Sequence, residues 1–207
     1  MVTRKNYLKP VLIAFFCSCP FLFISCDPSV SDDPAPLATV DEQALRPDLP
    51  DNAQQMRLLA EIRRATARYH RVEAAEADGY VLSSECVASP AGGMGHHFVK
   101  GPLVDGVVEP TMPEALVYEP QSNGRLRLVA VEYIVVAAAW DATHDSPPML
   151  GSVVFDDHRP EGSGGPPFPH YQLHAWIWKH NPAGMHAPFN PNVNCAYALD
   201  FPPAPAE

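Results

Sequence analysis

Apolar side chains recur at three- and four-residue steps over one long segment of the chain, residues 51–79. Arginines and glutamates lie between them, and this spacing places the apolar side chains on one face of an α-helix. Asp51 is a suitable N-cap, and Gly79 is a natural end. The pattern predicts one amphipathic helix. Its apolar stripe consists of Met56, Leu59, Ile62, Thr66, Tyr69 and Val72.

Beyond Gly79 the apolar residues alternate with polar ones or form short runs, as they do in β-strands. The sequence QSNG at residues 121–124 separates two of these segments and is typical of a hairpin turn. One helix followed by several strands predicts an α+β fold with a mainly antiparallel sheet of five or six strands. The candidate strands are residues 80–88, 96–100, 114–120, 125–136, 150–157 and 171–179.

Residues 1–25 have the pattern of a signal peptide. Three basic residues precede an apolar run that is shorter than the roughly 20 residues needed to span a membrane. The letters FIS before Cys26 resemble the cleavage box of bacterial lipoproteins, in which the cysteine becomes the lipid-modified first residue. An ordinary signal peptide with an incidental cysteine is the alternative. We expect an acidic, proline-rich tether at 26–50, a single α+β domain at 51–200 and a proline-rich tail at 201–207.

Composition and charge narrow the class of partner. The chain carries 24 prolines, well above the usual share of about 5%, which argues against a helical bundle. Its formal net charge of −10 becomes −13 when the three basic residues of the signal peptide leave. Such a surface repels nucleic acid and anionic lipid headgroups. The expected location is the cell envelope, outside the cytoplasm, with the lipid on Cys26 as the contact to the membrane.

Two cysteines remain once the signal peptide and Cys26 are set aside, namely Cys86 and Cys195. In an oxidising compartment the simplest expectation for such a pair is a disulfide. Two buried free thiols are the alternative. Ligation of a soft metal is less favoured, because neither cysteine belongs to a CxxC motif.

Side chains that can bind metals occur singly in the candidate strands. Glu132 shares a strand face with apolar neighbours, so an ionised carboxylate there needs a cation or a hydrogen-bond donor beside it. His174 shares a face with Trp176 and Trp178, and this combination is typical of a small-molecule pocket. We therefore expect the two indoles to contact a bound ligand. His97 follows a glycine-rich stretch at the start of another strand.

Four of these side chains form a candidate metal site: His97, His174, Glu132 and Glu114. Two imidazoles with one or two carboxylates suit iron(II), manganese or zinc, and Glu132 is also the candidate catalytic base. Two other interpretations stay open. The histidines and glutamates can form a structural hydrogen-bond network without metal, or they can carry out acid–base catalysis without metal.

Methionine stands next to histidine twice, which raises a copper interpretation. Met94 precedes His96 and His97, and Met185 precedes His186. A thioether with an imidazole suits copper(I). Methionine is more often a packing residue, so copper is the less favoured ion.

The chain resembles a family of exported bacterial proteins of unassigned function. The resemblance is carried by six motifs: ATARYHRVEAAEADGYV, GGMGHHFV, PEALVYEP, LRLVAVEYIV, LHAWIWKHNPAGM and NPNVNC. The resemblance spans about residues 65–195, except the loop 156–170, and it implies no activity. Family members often differ at the positions of His96 and His186, which favours His97 and speaks against copper. Cys86 matches the family's first cysteine, which supports its pairing with Cys195. The family pattern includes His97, Glu114, Glu119, Glu132, His174, Trp176, Met185 and Cys195.

The sequence thus predicts a lipid-anchored envelope protein with a metal-dependent pocket that binds or transforms a small molecule. The competing hypothesis is a non-enzymatic binding or envelope-interaction module. In that case the tryptophans contact a ligand and the histidines and glutamates are scaffolding.

Overall fold

The computed structural model describes residues 51–200. The predicted signal peptide at 1–25, the lipidation site Cys26, the tether at 26–50 and the tail at 201–207 lie outside the described residues. Within residues 51–200, no helix has the length and hydropathy required to cross a membrane.

Seven strands form one antiparallel sheet in the order β1-β3-β4-β5-β9-β8, with β2 also paired to β3. The prediction of an α+β fold with a mainly antiparallel sheet is confirmed. The first candidate strand is divided into β1 and β2, and the segment 149–158 supplies a separate hairpin, β6–β7, and then β8. The strands are β1 (Val81–Leu82), β2 (Val87–Ser89), β3 (Gly92–Val99), β4 (Ala115–Pro120), β5 (Leu126–Val136), β6 (Met149–Leu150), β7 (Val153–Val154), β8 (Asp156–His158) and β9 (His170–Ala175).

The N-terminal helical segment differs from the predicted single helix because it is interrupted near Thr66. The Thr66 hydroxyl donates a hydrogen bond to the carbonyl of Ile62 at 2.8 Å, and Arg71 adopts an extended conformation. Such side-chain bonds to the preceding turn often bend a helix. The freed carbonyl of Tyr69 accepts a hydrogen bond from the Tyr118 hydroxyl of β4 at 2.7 Å. The helical elements are α1 (Asp51–Thr66), a 3-10 turn (Ala67–His70), α2 (Val72–Ala77), a second 3-10 turn (Gly101–Leu103) and α3 (Ala137–Trp140).

The two faces of the sheet have different covers. The helix face, which carries Phe98, Leu116 and Tyr133, packs against the helical segment and forms the main core. Burial of each large apolar side chain there stabilises the fold by about 1.5–3 kcal/mol. The loop face, which carries His97 and Glu132, is covered by loop residues and has only a small apolar cluster. The main core includes Leu59, Ile62, Tyr80, Phe98, Leu116, Tyr118, Val131, Tyr133 and Leu173.

The glycine-rich stretch that precedes His97 is part of β3 rather than a turn before it. A Cβ atom on Gly93 would lie 2.8 Å from the carbonyl oxygen of Val193, so glycine allows the C-terminal loop to lie directly against the strand. Gly95 has a φ of +116°, which disfavours other residues. A disulfide joins Cys86 and Cys195 beside this contact. The predicted disulfide is confirmed.

Candidate metal centre

Three metal-binding side chains meet on the loop face, although each lies on a different strand. Glu132 of β5 pairs with His174 of β9 on one side and with Ala115 of β4 on the other. His97 of β3 pairs with Val117, two residues from Ala115 along β4. Because Ala115 carries only a methyl group, the side chain of His97 can reach across β4 toward Glu132. We call His97, Glu132 and His174 the triad.

The spacing of the triad atoms fits a bound ion. The Nε2 atom of His97 lies 3.4 Å from Oε2 of Glu132, and the Nε2 atom of His174 lies 3.5 Å from Oε1. One ligand atom from each residue lies within 4.8 Å of the others. Donors about 2.1 Å from a tetrahedral zinc ion are about 3.4 Å apart. The two separations between imidazole and carboxylate match this value, and the three side chains could hold an ion.

Burial controls the protonation of the triad. Removal from water raises the pKa of Glu132 to about 8, and the neighbouring Glu114 adds to this rise. Removal from water also lowers the pKa of His97 to about 4 and that of His174 to about 3. At pH 7 without a cation, both imidazoles are neutral and Glu132 is mostly protonated. Neutral imidazole is the form that binds metals, and metal binding would release the carboxyl proton.

The triad alone leaves a buried polar atom without a partner. Nε2 of His174 has no hydrogen-bond partner among the described residues, and it lies 3.5 Å from Oε1 of Glu132. A protonated Glu132 has one proton to donate, so it could pair with His174 as well only by accepting an Nε2–H at its other oxygen, and that contact is long at 3.5 Å. An unsatisfied buried polar group costs about 1–3 kcal/mol. A cation between the three side chains would satisfy both nitrogens and the carboxylate.

Ser84 fixes the orientation and the tautomer of His97. The Ser84 hydroxyl donates its proton to the carbonyl of Glu85 at 2.8 Å. Its oxygen therefore accepts from the backbone N–H of His97 at 3.0 Å and from Nδ1 of the ring at 2.9 Å. We assign the ring proton to Nδ1 from this pattern, so the Nε2 lone pair faces Glu132. No sequence motif marks Ser84, because its role depends on where β1 and β3 meet.

A cavity of about 930 Å³ opens in front of the triad. His97 and Glu132 line it, whereas His174 lies behind them and is 1% exposed. Gln172 and His158, which sequence reasoning did not select, line the same cavity. An ion held by these three donors would keep coordination positions for water or a ligand. The cavity gives a small molecule access to those positions.

Glu114, the fourth predicted ligand, is not part of the triad. Its Oε2 accepts a hydrogen bond from the backbone N–H of Ile134 at 3.0 Å. The preceding carbonyl, that of Pro113, is used by the Tyr80 hydroxyl at 2.7 Å. Burial raises the pKa of Glu114 to about 8. The pairing of β4 with β5 begins at Ala115. The carboxylate of Glu114, just before it, accepts the hydrogen bond of a β5 backbone N–H that lies beyond this pairing.

Neither Trp176 nor Trp178 is among the residues that line the cavity. Trp176 is 2% exposed, its ring stacks beside that of His174 with centroids 6.2 Å apart, and its N–H donates to the carbonyl of Ala187. Strand β9 ends at Ala175, so side chains no longer alternate beyond it and Trp178 packs against the main core. Trp176 thus supports the ring of His174, and a contact between either indole and a ligand stays a prediction.

The residues of the copper interpretation are not gathered around an ion. Both ring nitrogens of His96 contact the backbone: Nδ1 lies 3.2 Å from the carbonyl of Ser84, and Nε2 accepts from an N–H of the C-terminal segment. Nδ1 of His186 lies 2.8 Å from the carbonyl oxygen of His174. Met94 and Met185 pack against the small apolar cluster of the loop face. His96 therefore has no free nitrogen to offer a metal.

Glu119, another acidic residue of the motif pattern, has a structural partner. Its carboxylate is 4% exposed and lies 2.7 Å from Nζ of Lys179. It also accepts a hydrogen bond from the backbone N–H of Asn194, next to the disulfide. This ion pair holds the C-terminal loop against β4.

The chain was compared with family models, curated proteins and solved structures. No family model, curated protein or solved structure matches this chain. The side chains of the triad and the cavity are therefore the guide to function.

Proposed function

We propose that this protein binds one divalent transition-metal ion, zinc, iron(II) or manganese, through His97, Glu132 and His174. The observation that carries the proposal is the buried convergence of three donors with one nitrogen left unpartnered. Two imidazoles and one carboxylate form the ligand set of several catalytic zinc sites and of non-haem iron(II) sites. His97 and Glu132 line the cavity, so an ion held by them would be accessible to a small molecule there.

We further propose that the ion acts on a small molecule admitted by the cavity. A divalent ion there would polarise a bound carbonyl or lower the pKa of a bound water. His97 and His174 would hold the ion, Ser84 would orient His97, and the loops over the cavity would limit access of water. Glu132 has two oxygens, so one can bind the ion while the other accepts a proton. This arrangement is compatible with its proposed role as base.

The competing function is a non-enzymatic module in which the triad is a structural network. Separations of 3.4 and 3.5 Å between the imidazoles and Glu132 exceed the usual N–H···O range of 2.7–3.2 Å. A network of this kind would leave His174 unsatisfied. These distances favour the metal site.

The cellular setting is part of the proposal. The signal-like residues 1–25, the cleavage-box pattern at Cys26 and the motifs of an exported bacterial family support a lipoprotein of the cell envelope. The disulfide supports an oxidising compartment. Metabolic labelling of the full chain with radioactive palmitate tests the anchor. Incorporation should be lost in the Cys26→Ser variant, and equal labelling of both proteins would contradict it.

Metal analysis tests the central claim. Protein purified without a polyhistidine tag is incubated separately with zinc, manganese and, under anaerobic conditions, iron(II). After removal of free ions, bound metal is measured by mass spectrometry. We expect about one ion per chain for the wild type and none for the His97→Ala, His174→Ala double variant. The His180→Ala variant is the control, because His180 is exposed and outside the triad.

Absence of stoichiometric metal from the wild type under all three conditions would end the proposal. Equal metal content in the double variant would also contradict it. If the metal-free double variant loses much of its stability while the wild type binds no ion, the structural network is the better account.

A further inference from the structure

The cavity in front of the triad has an unusual distribution of charge. Among the described residues that line it, none is lysine or arginine, whereas Glu132 and Asp156 are acidic. Its volume of about 930 Å³ is near the upper end of the range of about 300–1,000 Å³ for small-molecule sites. A ligand with several anionic groups would therefore meet no lysine or arginine side chain in this cavity.

The walls of the cavity are mainly apolar. Val99 lies two residues after His97 on β3, so both side chains are on the loop face. Ile134 lies two residues after Glu132 on β5 in the same way. Val99 and Ile134 therefore form the floor of the cavity beside the triad. Phe168 and Phe189 come from two different loops and are only partly buried. Partly buried aromatic rings around a cavity offer apolar contact area to a ligand. Besides the triad residues, the polar side chains of the lining are Ser83, Ser84, Asp156, His158, Ser163 and Gln172.

We propose that the site takes a largely apolar organic molecule with a single oxygen-bearing head group. This inference rests on the proposed metal function, because the head group binds the ion while the apolar part contacts the walls. Nucleotides, sugar phosphates and polycarboxylates do not fit, since each carries anionic groups that need cationic partners. The ligand class is therefore a hydrophobic acyl or aromatic compound with one metal-binding oxygen function.

A series of alkyl hydroxamates tests this class with a fixed head group. Acetohydroxamate and octanohydroxamate share the same metal-binding group and differ only in chain length. Affinity for the zinc-loaded protein is measured by isothermal titration calorimetry. A fully buried methylene group strengthens binding by about fourfold, and partial burial should still give about 60-fold across the series. A third ligand, octanohydroxamate with a terminal carboxylate, should lose at least about tenfold relative to octanohydroxamate.

Two valine variants serve as a matched pair. Val104 lines the cavity, whereas Val107 is 60% exposed and does not line it. Val104→Asn should reduce the ratio of octanohydroxamate affinity to acetohydroxamate affinity, since the wall becomes polar. Val107→Asn should keep the full ratio.

The outcomes separate this inference from the function on which it rests. Binding of acetohydroxamate with no gain from chain length would overturn the apolar ligand class and leave the metal site intact. Equal affinity for the carboxylated ligand would also overturn it. If zinc does not bind, or neither hydroxamate binds the zinc-loaded protein, the proposed function fails and this inference fails with it. A length-dependent gain that is reduced in Val104→Asn alone would support both.

Discussion

Replacement of Ser84 by alanine should weaken metal binding without removing any ligand. The Ser84 hydroxyl accepts from the backbone N–H and from Nδ1 of His97 and donates to the carbonyl of Glu85. Loss of a group that orients a metal-bound histidine typically reduces metal affinity about 10- to 100-fold, or about 1.4–2.7 kcal/mol. Because His97 lies at a cavity wall, water can replace part of the lost bonding. We therefore expect a value near the lower limit, about tenfold.

The affinity is measured by competition for zinc with a chromophoric chelator at a fixed pH. Chemical denaturation of the metal-free protein, measured in parallel, should show a loss of about 1–2 kcal/mol in the free energy of unfolding. Ser83→Ala is the control, because the Ser83 hydroxyl donates to the carbonyl of Val81 and has no contact with the imidazole of His97. Zinc affinity within twofold of the wild type for Ser84→Ala would refute the orienting role. An equal loss in Ser83→Ala would refute it as well.

Three further predictions concern stability. Replacement of Cys86 and Cys195 together by serine should lower the free energy of unfolding by up to about 4.7 kcal/mol, the chain-entropy value for a loop of about 100 residues; an unchanged guanidinium midpoint would contradict this. Burial raises the pKa of Glu132 to about 8, so the contribution of Glu132 to the stability of the metal-free protein should fall as the pH rises from about 4.5 to about 8. Glu114 and the triad histidines also titrate in this range, so the Glu132 share is taken from the difference in slope between the wild type and Glu132→Gln, and it should reach up to about 1.4 kcal/mol per pH unit. Urea denaturation of Glu132→Gln should lack this contribution, and an identical slope in both proteins would show the reasoning to be wrong. Gly93→Ala should lower the free energy of unfolding by about 1–3 kcal/mol, whereas Gly101→Ala, whose added Cβ meets nothing within 4 Å, should change it little in thermal denaturation.

The extent of the central strand was predictable from sequence, but the partners of its residues were not. The apolar run over 125–136 marks β5, which the structure places at Leu126–Val136. Alternation alone also puts Glu132 among apolar neighbours. It does not set the register that pairs Glu132 with His174, and a slip of one residue would turn His174 to the other face. A bulge between Val117 and Tyr118 shifts the register once more.

The structure departs from the predicted helix and strand bounds where a local signal was absent. No glycine or proline marks the helix break at Thr66 or the end of β9 at Ala175, so the sequence pattern continues through both points. Trp178 consequently lies on the helix side rather than beside the triad. Glu114 has the residue type of a ligand, and only the tertiary structure shows that its carboxylate bonds the backbone of Ile134. Apolar periodicity reports which residues are buried, but it contains no information on which buried groups meet.

The placement of one donor on each of β3, β5 and β9 has a consequence for assembly. An ion held by these donors would cross-link three strands that the Cys86–Cys195 disulfide does not join to one another. A fragment of the chain that lacks any of these strands would hold an incomplete coordination sphere. The ion would therefore bind the finished sheet and not its precursors, so all of its binding energy would favour the native topology.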